Sequence, residues 1–176
     1  AAGGEHQFTY AGALGLLSSQ TDPRGNTSNY AYGPRGRLVQ AVNRDGGTIE
    51  LQRNVIDANT IEVVETRRGS EETRYLIERA YGSTIKTVTD PTGATRVIVR
   101  SPDGVTEGAF PDGTTARYEL LPDPRYGAFV NRVGSSTIET PGGLTSTQSV
   151  DVNVTYLSPG DITTMTEWEE LLTRNG

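Results

Sequence analysis

The sequence has no cysteine and only one histidine, one methionine, one tryptophan and one lysine among its 176 residues. Without cysteine it cannot form a disulfide framework, a thiolate metal site or a cysteine nucleophile. The single histidine, His6, excludes a histidine-rich metal cluster and leaves histidine acid–base catalysis dependent on one residue. No apolar run is long enough to span a membrane. These absences favour a non-enzymatic protein and predict no catalytic residue, metal ion or cofactor.

The charge balance argues against nucleic acid as a partner. The chain carries 16 basic and 22 acidic side chains, a formal net charge of −6, which makes it a poor general binder of nucleic acids. Apolar residues and glycine together make up about 46% of the chain, within the usual range for globular domains. The numbering begins without an initiator methionine or a signal peptide, so we expect a processed chain or a piece of a longer one.

The spacing of glycine and proline predicts short strands. From Gly12 to Gly160 these residues leave no window long enough for a periodic helix. Between them lie runs rich in threonine, valine, isoleucine and tyrosine, which favour strands. Near the C-terminus, the sequence of Thr164–Thr173 fits either a short helix or a closing strand. Examples of these predicted strands are Thr27–Tyr32, Leu38–Val42, Thr48–Asn54, Thr60–Thr66, Thr73–Tyr81, Ala94–Arg100, Thr114–Leu121, Ala128–Val133 and Ser149–Leu157.

The turns between these runs have a recurring chemistry. Asp22-Pro23-Arg24-Gly25 fits a type I turn, because aspartate bonds back to the backbone and proline presets the next φ angle. The same pattern recurs at residues 90–93. Asp-Gly pairs at residues 45–46, 103–104 and 112–113 are a further hairpin signal. A threonine follows each of these turns closely and restarts a strand.

The turns belong to an internal repeat of about 21 residues. Gly15-Leu16-Leu17 aligns with Gly36-Arg37-Leu38, and residues 22–27 align with residues 43–48 at the same offset. Each unit reads as a tyrosine, a Gly-x-Leu motif, a strand, a turn ending in Gly-x-Thr, and a strand back to tyrosine. The residues that define the repeat are Tyr10, Gly15, Leu17, Asp22, Gly25, Thr27, Tyr30, Tyr32, Gly36, Leu38, Gly46, Thr48, Asp90, Gly93 and Thr95.

These motifs resemble a known family. The run from Tyr32 to Leu38, followed by Val42 and Thr48, is similar to the tyrosine–aspartate (YD) repeat of Rhs proteins, approximately YDxxGRLxxVxDxxGxxTxYxY. The resemblance is strong over residues 8–50, moderate over 83–150 and weak elsewhere. The aspartate of the YD pair is replaced by Ala11 in one copy and by Gly33 in the other.

The resemblance implies a structural role. In Rhs proteins, teneurins and Tc toxins, YD hairpins coil side by side into a hollow β-shell, which encloses a C-terminal effector in the toxins. In teneurins the shell lies outside the cell beside adhesion modules. This sequence has neither the self-cleaving closing segment of such shells nor a recognisable effector. We therefore expect a fragment of a shell wall, or a small protein built in the same way.

The predicted fold is all-β, with consecutive antiparallel hairpins forming a curved, repeat-built sheet. Residues 1–50 are expected to hold two YD-type hairpins, residues 51–134 longer-stranded hairpins, and residues 135–176 the C-terminal strands. We expect these parts to form one continuous repeat domain. Neighbouring repeats of a parent chain, or copies of the chain itself, would cover the open strand edges.

Two other functions stay open on the residues alone. The eight tyrosines either pack within the sheet or form a platform on which sugars stack. The candidates for such a platform are Tyr30, Tyr32 and Tyr118. Exposed edges and an apolar face would also suit a self-assembling extracellular filament subunit. The carboxylates around Trp168 indicate a solvated terminal face rather than a glycosidase pair, because no second carboxylate is placed across a cleft. The prediction is therefore a secreted or cell-surface structural segment, with glycan binding or filament formation as alternatives.

Overall fold

The computed structural model describes residues 4–175. It contains fourteen strands in one antiparallel sheet, and each strand pairs with its neighbours in chain order. The strands are β1 (Gln7–Ala11), β2 (Leu16–Thr21), β3 (Thr27–Tyr32), β4 (Leu38–Val42), β5 (Thr48–Val55), β6 (Thr60–Arg67), β7 (Glu71–Ala80), β8 (Ser83–Thr89), β9 (Thr95–Arg100), β10 (Val105–Ala109), β11 (Thr115–Asp123), β12 (Gly127–Glu139), β13 (Thr145–Tyr156) and β14 (Met165–Asn175).

The predicted fold class, all-β with consecutive antiparallel hairpins, is confirmed. Helical structure in the described chain is limited to 3-10 turns at Pro34–Gly36 and Ile162–Thr164. The open choice at the C-terminus is resolved as a strand, since β14 pairs with β13 along nearly its whole length. Trp168 faces Val154 and Leu172 faces Val150 across that pair. Cross-strand packing of this kind favours the strand over a short helix.

The contacts divide the chain into two compact units. The first contains the residues up to Ile77 together with Val88–Ala94, and its buried apolar side chains are Val64 and Val88. The second contains Glu78–Thr87 and the residues from Thr95 onward. Its buried side chains are Val105, Thr106 and Asp123. Each unit is therefore built around very few buried residues.

Little surface is buried for a chain of this size. The accessible surface is 12208 Å², whereas a compact monomer of this mass exposes about 8,300 Å². Most strand residues are half-buried or exposed, and the described strands all belong to one sheet. Stability must therefore come mainly from the strand ladders, their turns and cross-strand side-chain pairs.

Candidate functional site

One five-residue turn recurs through the sheet. The N–H of its first residue donates to the carbonyl oxygen of the fifth at 2.8–3.0 Å, and the N–H of its fourth residue donates to the carbonyl of the first at 2.9–3.3 Å. The fourth residue is always a glycine with φ between 79° and 88°, a conformation that other residues adopt at a cost. This combination is the three-residue hairpin loop with a glycine bulge. The turn occupies residues 22–26, 43–47, 90–94, 101–105, 110–114 and 140–144.

Proline occupies the second position of this turn in every copy except 43–47, which has Arg44. Its fixed φ suits the first central position of a type I turn. A related turn at residues 33–37 makes the same two backbone bonds but also holds Arg35 at φ 67°. The Asp-Gly pairs of the sequence lie at the third and fourth positions of the common turn. They therefore belong to the same turn type as Asp22–Gly25 rather than forming a separate one.

An aspartate or asparagine at the first position closes the turn with its side chain. Asp22 Oδ1 accepts the N–H groups of Arg24 at 2.8 Å and Asn26 at 3.0 Å. Asp90 and Asn43 accept from the third and fifth residues of their own turns in the same way. These bonds satisfy donors that the hairpin ladder leaves free.

The bonds also hold the turn carboxylates in their charged form. The side-chain and backbone N–H donors of Asn26, with the N–H of Arg24 and the nearby Arg44 guanidinium, lower the pKa of Asp22 to about 2. The hydroxyl and N–H of Thr92 lower the pKa of Asp90 in the same direction. Arg44 lies 3.6 Å from Asp22, so this guanidinium links two turns of the first unit.

The remaining repeat-defining residues lie where each hairpin begins or ends. Thr27, Thr48 and Thr95 are the first residues of β3, β5 and β9. The hydroxyl of Thr27 lies 2.8 Å from that of Thr21 across the β2–β3 pair. Gly15, at φ 60°, ends the β1–β2 turn by donating to the Gly12 carbonyl at 3.2 Å.

The tyrosine and leucine of each repeat form facing pairs. Tyr10 faces Leu17 and Tyr32 faces Leu38, and each pair lies directly beside a register shift. The two hairpins therefore place equivalent residues at equivalent points of the sheet. Both pairs are of the aromatic–aliphatic kind that stabilises antiparallel sheets.

Gly36 shows why the Gly-x-Leu motif begins with glycine. A Cβ atom at Gly36 would lie 3.2 Å from Leu14 Cδ1 and 3.3 Å from Leu16 Cδ1. The absence of a side chain lets the second hairpin approach the first. Gly15 has open space around the corresponding position, so at that residue the requirement is the positive φ angle.

The three candidate glycan-stacking tyrosines lie on β3 and β11, with Tyr30 and Tyr32 in the first unit and Tyr118 in the second. Tyr30 faces Ala41, which faces Ile49 on β5. These residues and Arg67 line an open hollow of about 330 Å³ in the first unit, and Tyr32 does not line it. Tyr118 lies on β11 in the second unit, opposite Thr106 and Ser136.

The β11–β12 turn holds a side-chain cluster that motif and spacing do not predict. Asp123, 5% exposed, accepts two bonds of 3.0 Å from the Arg125 guanidinium. That guanidinium carbon lies 4.4 Å from the centre of the Trp168 ring and 5.1 Å from the centre of the Tyr126 ring. Arg125 lowers the pKa of Asp123 to about 2. Tyr156 adds a bond of 3.3 Å from its hydroxyl to the Pro124 carbonyl.

The cluster sets Trp168 apart from the acidic residues beside it, which are expected to be solvated. The ring is half-buried while its neighbours Glu167 and Glu169 are exposed. Trp168 and Arg125 are 43 positions apart in the chain, too far for a local pattern to connect them. One local sign of the cluster is the run Asp123-Pro124-Arg125-Tyr126, in which a charged pair lies beside an aromatic ring.

Within residues 4–175, no group of three or more histidine, aspartate or glutamate side chains is placed to hold a metal ion. Over the same residues, no helix has the length and apolar character needed to cross a membrane.

Comparison with known proteins agrees with the geometry of the repeated turns and hairpins. No match is found among curated proteins. A family model described as Teneurin YD-shell matches residues 1–171, nearly the whole sequence. The consecutive hairpins and the repeated glycine turn are what this match and the repeat motifs lead one to expect. The chain belongs to the Teneurin YD-shell family and has the structural, shell-type role of a YD-repeat protein.

Proposed function

We propose that this chain is a non-enzymatic wall segment of an extracellular YD-repeat shell, joined to neighbouring strands through β1 and β14. The observation that supports this best is the strand order, in which β1 and β14 each pair on one side only within the described chain. Unpaired strand edges are ready partners for further strands. The partners are the neighbouring repeats of a longer parent chain or other copies of this chain.

The two end strands carry exposed apolar side chains as well as open backbone edges. On β1, Phe8 is 49% and Tyr10 is 65% exposed. On β14, Leu171 is 60% and Leu172 is 46% exposed. Exposed apolar side chains on an unpaired edge strand suit pairing with a further strand. An added strand would bring its own side chains against these residues and remove them from water.

The extracellular part of the proposal is supported by the family, whose shells lie outside the cell in teneurins. The non-enzymatic part is supported by the sequence, which offers no cysteine and one histidine for catalysis. The turn carboxylates are held by backbone N–H groups of their own turns, which suits a structural role.

Hydrogen exchange tests the pairing of the end strands. Amide exchange would be measured at two protein concentrations about fifty-fold apart, because self-pairing depends on concentration. We expect slower exchange of β1 and β14 at the higher concentration and no change in β5 and β6. The variant Leu171→Lys should weaken the concentration effect on β14, since a charge opposes pairing of an exposed edge. Exchange of β1 and β14 that is independent of concentration would count against the proposal.

A second candidate function is glycan binding, favoured by the hollow that contains Tyr30. Aromatic rings beside polar groups suit sugar recognition, and Arg67 lies at the hollow with Tyr30. The test is a glycan array probed with the wild type and with Tyr30→Ala. Tyr81→Ala is the matched control, because Tyr81 is fully exposed at the β7–β8 turn. Binding lost in Tyr30→Ala and retained in Tyr81→Ala would support this function, whereas an array without binding would oppose it.

A further inference from the structure

Strand β11 extends beyond the end of its partner β10. Pairing between these strands reaches Val105 and Glu119 and goes no further. The Leu120 N–H then donates to the Gly104 carbonyl at 3.0 Å, so the β9–β10 turn closes against this point of β11. Pairing of β11 with β12 continues to Asp123 and Gly127. Residues 120–133 therefore form a two-stranded arm beyond the end of β10.

The arm also separates from β13 on its other side. The β12–β13 register runs from Glu139 with Thr145 to Ser135 with Ser149. Within the described chain, no register joins residues 127–134 of β12 to residues 150–156 of β13. The latter residues pair with β14 instead. The sheet thus forks between β12 and β13.

Gly134 is the residue at which the fork opens. It lies at a register shift of the β11–β12 pair, between the partners of Glu119 and Leu120. A Cβ atom at Gly134 would lie 2.4 Å from Leu121 Cδ1, so the Leu121 side chain occupies the space that any larger residue would need. Glycine at a bulge lets a strand bend away from its neighbour.

Side chains, rather than a backbone ladder, connect the arm to β13 and β14. Arg132 Nη1 donates to the Val150 carbonyl at 2.7 Å, and Arg132 Nε is buried without a partner. Tyr156 bonds to the Pro124 carbonyl at the tip of the arm. Arg125 stacks over Trp168 and is oriented by Asp123.

These contacts are the kind that can release independently of the sheet. A two-stranded hairpin is at best marginally stable in water when it stands alone. The arm also exposes apolar side chains, with Phe129 at 98% and Val130 at 47%. Its position therefore depends on the few contacts at its tip and base. Of these, the Arg125–Trp168 stack joins the tip to β14.

We propose that residues 120–133 are a hinged arm that bends at Gly134, is clasped shut by Arg125 on Trp168, and on opening moves away from residues 150–156 of β13 and from β14. Opening removes the cation–π contact, the Tyr156 bond and the bond from Arg132 to the Val150 carbonyl, while the β12–β13 pairs from Ser135 to Glu139 stay formed. In a shell wall, such an arm is a local gate that opens without unfolding of the remaining sheet.

Trp168 is the sole tryptophan of the chain and reports directly on the clasp. Arg125→Ala should raise acrylamide quenching of its fluorescence about two-fold and speed amide exchange of residues 120–133 about five-fold, as expected for loss of one cation–π contact. Exchange of residues 135–139 and 145–149 should stay unchanged, because local opening is independent of the rest. Arg117→Ala is the matched control, since Arg117 lies on β11 inside the sheet and pairs with Glu107 at 2.6 Å.

Two results would overturn the hinged arm. If Arg125→Ala leaves both the quenching and the exchange of residues 120–133 unchanged, Arg125 does not clasp the arm. If residues 120–139 and 145–149 all lose protection together, the arm is not an independent element. Arg125→Lys keeps the charge beside Asp123 but loses the planar guanidinium, so it should give intermediate quenching with an unchanged circular dichroism spectrum.

Discussion

At the residue scale, the recurring unit is the five-residue turn, in which each position has its own chemical requirement. The fourth position needs a left-handed backbone in every copy, most copies have the fixed φ of proline at the second, and Asp22, Asn43 and Asp90 add an acceptor for N–H groups at the first. Residues 140–144 have adjacent glycines at the third and fourth positions. Comparing substitutions at Gly142 and Gly143 therefore distinguishes a need for a left-handed backbone from a need for a small side chain.

We expect Gly143→Ala to lower the free energy of unfolding by about 1–2 kcal/mol, because alanine is strained in the left-handed region. Gly143 has φ 80° and open space around it, so the cost is purely conformational. Gly142 also has open space but no positive φ, so Gly142→Ala should change stability by less than about 1 kcal/mol. Urea unfolding of both variants is the measurement. Equal losses in the two would contradict the assigned turn.

A second prediction at this scale concerns Asp22 and acid. Its pKa falls from 3.8 to about 2 on folding, so its contribution to stability is complete above pH 3.8 and lost as the pH falls towards 2. Asp22→Ala should therefore unfold more easily than wild type at neutral pH, and the difference should shrink below pH 3.8. Thermal unfolding across this pH range is the measurement.

Asp22→Asn provides the control for the acid prediction. Asn43 fills the same turn position and accepts the same backbone N–H groups. The asparagine variant should keep the turn but lose the part of the acid dependence that Asp22 contributes. A difference between Asp22→Ala and wild type that stays constant down to pH 2 would contradict the lowered pKa.

The turns were readable from sequence because their bonds join residues at most four positions apart. Asp22, Gly25, Asp90 and Gly93 carry this information locally. The Arg125–Trp168 stack was not readable, because it depends on the distance between two hairpins and on the fork at Gly134. The residues within a turn are therefore enough to predict that turn. The cluster of Arg125 and Trp168 becomes visible only once the hairpins are placed in the sheet.

At the element scale, strand boundaries followed β-propensity where the runs were strong. Thr27–Tyr32 and Leu38–Val42 have the predicted bounds of β3 and β4. A strand was expected to restart near Thr106, and β10 (Val105–Ala109) lies there, although it contains Gly108 and has little intrinsic β-preference. It forms because β9 and β11 pair with it on both sides. Pairing with neighbours, not propensity, sets such a strand.

Val64 of β6 tests how much the few buried side chains contribute. It is 7% exposed, whereas Val55 at the end of β5 is 63% exposed. Val64→Ala should lower the free energy of unfolding by about 1.5 kcal/mol, from two buried carbon groups at about 0.8 kcal/mol each. Val55→Ala should change it by about 0.5 kcal/mol or less. Similar losses in both variants, measured by urea unfolding, would show that Val64 is not a core residue.

At the scale of the whole molecule, the described strands follow one another in a single sheet, and each of its two end strands has an unpaired edge. Sequence repeats predicted consecutive hairpins because each unit encodes one hairpin. The repeats could not predict the division into two compact units or the fork in the second of them. Both features depend on how one hairpin pairs with the next, which a single repeat does not encode.

The solution mass, measured by light scattering after size exclusion, tests the wall-segment proposal most directly. Open edges and exposed Leu171 and Phe8 predict a mass above the 18.9 kDa of one chain, rising with concentration. The variant Leu171→Lys should shift that mass downwards. A very large, growing mass would favour the filament form of self-pairing. A stable monomer of 18.9 kDa at every concentration would contradict the proposal that β1 and β14 are joining edges.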